Sequence, residues 1–201
     1  MRRGIGATLA LSGKRPRRIL AAIAVVAALG IGAWADRERL LRSVADLWIV
    51  SDPIGPADAV AVFGGGLADR PLAAAQYYRQ GLVKQVLVDL AASEAVLLEL
   101  GTPADAIATF GDDLRNTHEE VLALRDWAER HNLRSIIVPT EIFSARRVRW
   151  MLHRGFPGDF EIRVIALDPS QYRQDGWWRH TRGITAFRTE FIKYLYYILK
   201  Y

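Results

Sequence analysis

Three stretches of this chain combine residue types that handle anions and protons. In the first, Gly64-Gly65-Gly66 is followed by Asp69, Arg70 and Pro71. Three glycines let a backbone turn sharply and aim its N–H groups at an anion, and a helix starting just beyond adds the positive end of its dipole. Asp69 is placed to cap that helix, Pro71 sits in its first turn, and Arg70 offers a fork of donors to the same anion. A tight strand-to-helix turn without a ligand would use the same residues. The spacing is neither GxGxxG nor GxxxxGK(S/T), so it specifies neither NAD nor ATP.

The second stretch, Asn116-Thr117-His118-Glu119-Glu120, opens a later helix. Thr117 and Glu120 have the spacing of a capping box, which leaves Asn116 to orient a ligand and Glu119 to act as general acid or base if desolvated. In the third, Thr140 ends a strand with its hydroxyl toward the glycine turn. Arg146, in the first turn of the next helix, is the arginine placed to neutralise charge there, whereas arginines on a helix more often form a solvated face. The four histidines, His118, His131, His153 and His180, show no HExxH or paired spacing and there is no cysteine, so no preformed metal site is indicated. A GxSxG elbow is also missing.

The elements that must position these residues are legible as alternating patterns. Val- and Ile-rich runs at 58–63, 84–88, 106–110, 134–138 and 162–167 alternate with helical periodicity at 70–80, 93–100, 117–131, 142–154 and 184–200. Continuous apolar strands separated by helices call for a sheet covered on both faces. The expected fold is α/β: a Rossmann-like, doubly wound, mainly parallel five-stranded sheet over 58–201. In such folds ligands bind outside the carboxyl ends of the strands, where the glycine turn, Asp89, the segment 112–120 and the segment 139–146 fall.

The chain has 201 residues, 51% of them apolar, with 27 basic and 22 acidic residues and a formal charge of +5. That composition excludes a disordered chain and a disulfide scaffold. Arg2, Arg3, Lys14, Arg15, Arg17 and Arg18 precede any acid, so residues 36–201 are left with 21 basic and 22 acidic residues. The basic excess is therefore terminal, and a nucleic-acid partner is not expected.

After this basic tail (1–18), residues 19–35 carry no charge and end in Trp34-Ala35. They are long enough to span a bilayer, and the positive-inside bias keeps 1–18 in the cytoplasm. The expectation is a single-pass anchor in the inner (plasma) membrane with a periplasmic or extracytoplasmic body. Ala33-Trp34-Ala35 also has the form of a signal-peptidase site, which would export the same domain. Residues 36–57 read as a short amphipathic helix and a Pro/Gly linker that lets the domain stand off the bilayer. The last helix gathers Phe187, Phe191, Tyr194, Leu195 and Ile198 on one side, for core packing or, with Trp177 and Trp178, for membrane contact.

The order of these motifs resembles the SanA/ElyC/YdcF-like envelope proteins. The matching pieces are Ser51-Asp52-Pro53, Pro56 to Gly66, Arg70, Ser93-Glu94-Ala95, Gly101-Thr102-Pro103, Asn116-Thr117-x-Glu119, Val138-x-Thr140 with Arg146, and Trp177-Trp178 followed by Glu190. The resemblance implies a Rossmann-like envelope domain, linked to cell-wall and barrier biogenesis or lipid-carrier metabolism. Its cleft would be lined by Gly64, Gly65, Gly66, Arg70, Glu94, Asn116, Thr117, Glu119, Thr140 and Arg146. Phe143 stands where that family has a histidine, Glu120 where it has an asparagine, and Asp89-Leu90 where it has a Gly-rich turn.

Together these readings lead to a cleft for a phosphate-bearing ligand such as a polyprenyl-phosphate carrier or wall precursor. Any chemistry would be phosphoester hydrolysis or transfer, with Glu119 handling the proton. The rival reading is a non-catalytic module that docks partner proteins through Phe143 and the aromatic tail. A nucleotide-cofactor enzyme rests on fold analogy alone, and no cofactor is specified.

Overall fold

The computed structural model describes residues 14–66, 68–111 and 114–201. The chain divides into two units, one ending at Leu41 and the other running Arg42–Tyr201. The first contains helix α1 (Lys14–Ala35) and the start of α2 (Arg37–Trp48). Within α1, Arg18–Ala35 has a mean hydropathy of 2.0 and none of it is buried, so it is long and apolar enough to cross a membrane. Trp34, near its end, lies under the Arg37 guanidinium at 4.7 Å.

The second unit is built on β1 (Ala59–Val62), α3 (Asp69–Arg79), β2 (Gln85–Val88), α4 (Ala91–Glu99), β3 (Ile107–Thr109), α5 (Thr117–Arg130), β4 (Ser135–Glu141), α6 (Ala145–Gly155), β5 (Glu161–Leu167) and α7 (Thr181–Lys200). The five strands are all parallel, in the order β3-β2-β1-β4-β5, as a Rossmann-like sheet requires. Alternation along β1 separates two cores. Ala59, Ala61 and Phe63 face Val121, Leu124, Val148 and Leu152 of α5 and α6. Val60 and Val62 face Ala73, Ala74 and Tyr77 of α3 and Leu97 of α4. All four residues of β1 are buried, which is why the strand reads as an unbroken apolar run.

The fourth strand-to-helix junction differs from the sequence expectation. β4 continues through Pro139, Thr140 and Glu141, and α6 starts at Ala145 rather than at residue 142. Pro139 is tolerated because β4 pairs with β1 only at Ile136 and Ile137, so beyond that point only its β5 side is hydrogen-bonded.

The segment after α2 is no loose spacer. The Asp52 amide donates to the Val164 carbonyl (2.9 Å), the Val164 amide returns a bond to Asp52 Oδ2 (2.9 Å), and Ala166 N donates to Ser51 Oγ. The expected linker therefore covers the outer edge of β5, where unpaired strand groups would otherwise face solvent. Trp48 packs on Phe187, Phe191 and Tyr194 of α7 at 5.5–5.6 Å and donates through Nε1 to the Phe143 carbonyl.

Candidate functional site

In this topology the chain leaves β1 toward β2 on one side and returns to β4 on the other, so a crevice opens above the carboxyl ends of β1 and β4. Gly64-Gly65-Gly66 turns there. Gly65 has φ +91°, and among the described residues nothing lies within 4 Å of where a Cβ would stand. The corner is open, and its conformation is one that glycine adopts without penalty. A Cβ on Gly66 would lie 2.6 Å from Arg70 Nε, so that glycine leaves room for the arginine.

Arg70 reaches back from the start of α3. Its Nη1 donates to the Phe63 and Gly64 carbonyls (3.0 and 2.7 Å), and its Nη2 pairs with Glu141 at the end of β4, bridging the crevice. Its Nε is buried without a partner among the described residues. Asp69 does not cap this helix: Ala68 holds the N-cap position with no side-chain bond, and Asp69 Oδ2 instead accepts from the Ser170 amide at 3.4 Å.

The Gly64 amide donates to two carboxyl groups, Asp89 Oδ2 (2.8 Å) at the end of β2 and Glu120 Oε1 (3.0 Å) in α5. Two buried acids this close cannot both ionise cheaply. Burial raises the Glu120 pKa most, and Asp89 adds to this as hydrogen-bond partner and as neighbouring charge. Thr117 and Arg70 pull it back in part, and the result is about 7 against an ordinary 4.5. The pair thus holds a proton near neutrality.

Glu120 is available for this because the helix cap sits one residue earlier than the sequence suggests. Asn116 Oδ1 accepts from the amides of His118 and Glu119, while Glu119 accepts from the Arg115 amide (2.9 Å) and Asn116 Nδ2 (2.7 Å). The Arg115 amide is the main cause of a Glu119 pKa below the usual range. Thr117 is not the cap either. Its Oγ1 accepts from Arg147 Nη1 (2.6 Å), and its amide donates to the Tyr197 hydroxyl.

Arg147 anchors the opposite wall. Its Nε donates to Glu190 Oε2 (2.7 Å), and Lys193 Nζ donates to Glu190 Oε1 (3.0 Å). Burial alone would raise the Glu190 pKa, but Arg147 and then Lys193 outweigh it and hold the group below its ordinary value.

These residues line one cleft of about 1030 Å³. Among the described residues, its buried or half-buried charges are Asp69, Arg70, Asp89, Glu120, Glu141, Arg147 and Glu190, whereas its solvent-exposed charged residues are the cations Arg115, Arg182 and Lys193. No group of three potential metal ligands occurs among the described residues.

Of the residues expected here, the fold brings together Gly64, Gly65, Gly66, Arg70, Asn116 and Thr117. Four others lie elsewhere. Glu119 is engaged in the cap and does not line the cleft. Arg146 turns away: its guanidinium donates to the Trp48 and Leu47 carbonyls and stacks over the Trp48 ring at 5.4 Å. The arginine that enters is its neighbour Arg147, held there by Glu190 and Thr117. Glu94 lies in α4 outside the lining. Thr140 is buried, its hydroxyl without a partner among the described residues, and it does not reach the cleft.

Phe143, which the docking reading placed on the surface, is fully buried at the cleft. It packs against Tyr172, Trp177 and Phe187, and Trp177 is itself buried. The acid pair was missed because two overlapping boxes, 116/119 and 117/120, compete for the helix start. Asparagine's stronger N-cap preference was the signal that would have freed Glu120.

A scan against protein-family models finds no match for this chain, and neither does a search of curated proteins.

Proposed function

We propose that this chain is a membrane-anchored cell-envelope protein of the SanA/ElyC/YdcF type. Its extracytoplasmic cleft binds a phosphate-bearing ligand such as a polyprenyl-phosphate carrier or wall precursor. The observation that carries this reading is the charge arrangement of the cleft: among the described residues, the lining charges open to solvent are Arg115, Arg182 and Lys193, and they share the cleft with the glycine corner. Backbone amides at such a corner and exposed cations are complementary to a phosphate. The order of motifs across residues 51–190 supports the family reading, and the apolar stretch of α1 supports the anchor.

If the ligand reacts, the reaction is phosphoester hydrolysis or transfer, with the Asp89–Glu120 pair in the role first expected of Glu119. As a water or alcohol oxygen bonds to phosphorus and the P–O bond to the leaving oxygen breaks, the protonated pair gives its proton to that leaving oxygen. The proton of the attacking oxygen then returns to the pair. A group titrating near 7 is suited to both transfers.

The test compares farnesyl phosphate with farnesol on the full chain in detergent micelles, read as thermal stabilisation. The phosphate form raises the melting temperature and the alcohol does not, and the double variant Arg182→Glu/Lys193→Glu loses the effect. Equal responses to phosphate and alcohol would refute the reading.

A further inference from the structure

Helix α7 has two unlike sides. Gly183, Glu190 and Tyr197 are buried, with Ala186, Phe187 and Tyr194 half-buried beside them. Facing the other way, Ile184, Ile192, Leu195, Ile198 and Leu199 are 42–87% exposed. Their three- and four-residue spacing places them on one stripe, with Arg188 at its centre. Arg182, Lys193 and Lys200 lie along one side of it. The only acid of the helix, Glu190, is buried against Arg147.

An apolar helical stripe bordered by cations, with no exposed acid, matches the headgroup layer of an anionic bilayer. It suits a second copy of this chain poorly, because a two-fold contact sets this cationic face, with no exposed acid of the helix, against itself. Chain connectivity points to the same occupant. Trp48 packs directly on Phe187, Phe191 and Tyr194 of this helix, and it follows Ala35, the end of the apolar span, by only thirteen residues.

We infer that the outer face of α7 is a second membrane contact, lying in the interfacial layer of the bilayer that holds α1. The inference rests on the anchor reading. The same helix lines the cleft through Thr185, Thr189 and Lys193, so the contact sets the cleft beside the lipid headgroups, where the phosphate of a lipid-borne ligand resides.

The chain has no cysteine, so single cysteine variants each carry one label. Ile192→Cys and Leu199→Cys report on the face. Leu98→Cys, on α4 against the opposite core, is the off-face reference, and Ala28→Cys reports on the anchor. Each full-length variant carries a nitrobenzoxadiazole label in vesicles of phosphatidylglycerol and phosphatidylethanolamine. Doxyl-lipid quenching several-fold stronger at 192 and 199 than at 98, and weaker when phosphatidylcholine replaces phosphatidylglycerol, supports the contact. Quenching at 192 and 199 no greater than at 98, with aqueous iodide reaching all three, overturns it. Energy transfer between labelled copies without lipid quenching assigns the face to self-association and also overturns it. Quenching at 28 alone keeps the anchor and removes the α7 contact, whereas quenching at 192 and 199 but not at 28 keeps the contact and removes the anchor.

Discussion

Glu120 and Glu190 line the same cleft and are almost equally buried, at 8% and 7% exposure, yet their pKa values move in opposite directions. Glu120 shares the Gly64 amide with a second carboxyl group, so burial and like charge act together. Glu190 sits between Arg147 and Lys193, which outweigh burial. What a buried carboxyl group can do is therefore set by the element packed opposite it. The wall at β1 and β2 holds an exchangeable proton, while the wall at α6 and α7 is a fixed ion pair suited to holding shape.

The strongest way to break this contrast is to remove one partner of the fixed pair. Arg147→Met leaves Glu190 buried with only the half-exposed Lys193, and about 3–5 kcal/mol of stability should be lost in urea unfolding. A loss under about 1 kcal/mol would mean that Arg147 does not fix Glu190.

Opposite pH slopes provide the next test. Because the Glu120 pKa is raised on folding, its contribution is fully present below about 4.5 and is lost as pH climbs toward about 7, a change on the order of 3 kcal/mol. Glu120→Gln should flatten that limb and leave the variant more stable than the parent at pH 8. Glu190, with a lowered pKa, contributes above 4.5 and loses its contribution as pH falls through its depressed value. Glu190→Gln should accordingly flatten only the acid limb. Equal slopes in the two variants would erase the distinction between the walls.

A smaller effect probes the corner that the acid pair grips. Gly65→Ala meets no neighbouring atom among the described residues, so its expected cost is the backbone term, about 1–2 kcal/mol for an alanine held at positive φ. A clearly larger loss, read by thermal unfolding, would show that the corner is not open. The smallest change separates the two helix caps: Asn116→Ala should cost about 1 kcal/mol. The Glu120 titration should shift in that variant, because the Asn116 cap is what leaves Glu120 free to meet Asp89; an unchanged titration would show that cap and acid pair are independent.

Much of the framework was readable from local pattern. The five strands and the helices after them fall within a few residues of their apolar periodicity, since burial on both faces of a parallel sheet leaves unbroken Val and Ile runs. The glycine corner and Arg70 were found because a strand-end position and a residue type are both local facts. Two errors of one residue, Glu119 for Glu120 and Arg146 for Arg147, share a cause. Each depends on which of two adjacent side chains meets a partner distant in sequence, and consecutive helical residues point about 100° apart.

By itself the sequence determined the apolar stretch 19–35, the order of strands and helices, and the glycine corner after the first strand. These follow from hydropathy and from backbone freedom, which are properties of neighbouring residues. Only the tertiary structure decided which carboxyl groups meet. Asp89, Glu120 and Gly64 come from three elements up to 56 positions apart, and Arg147 finds Glu190 across 43. A carboxyl group's charge depends on distance and burial, and both are fixed only once the chain has closed around it.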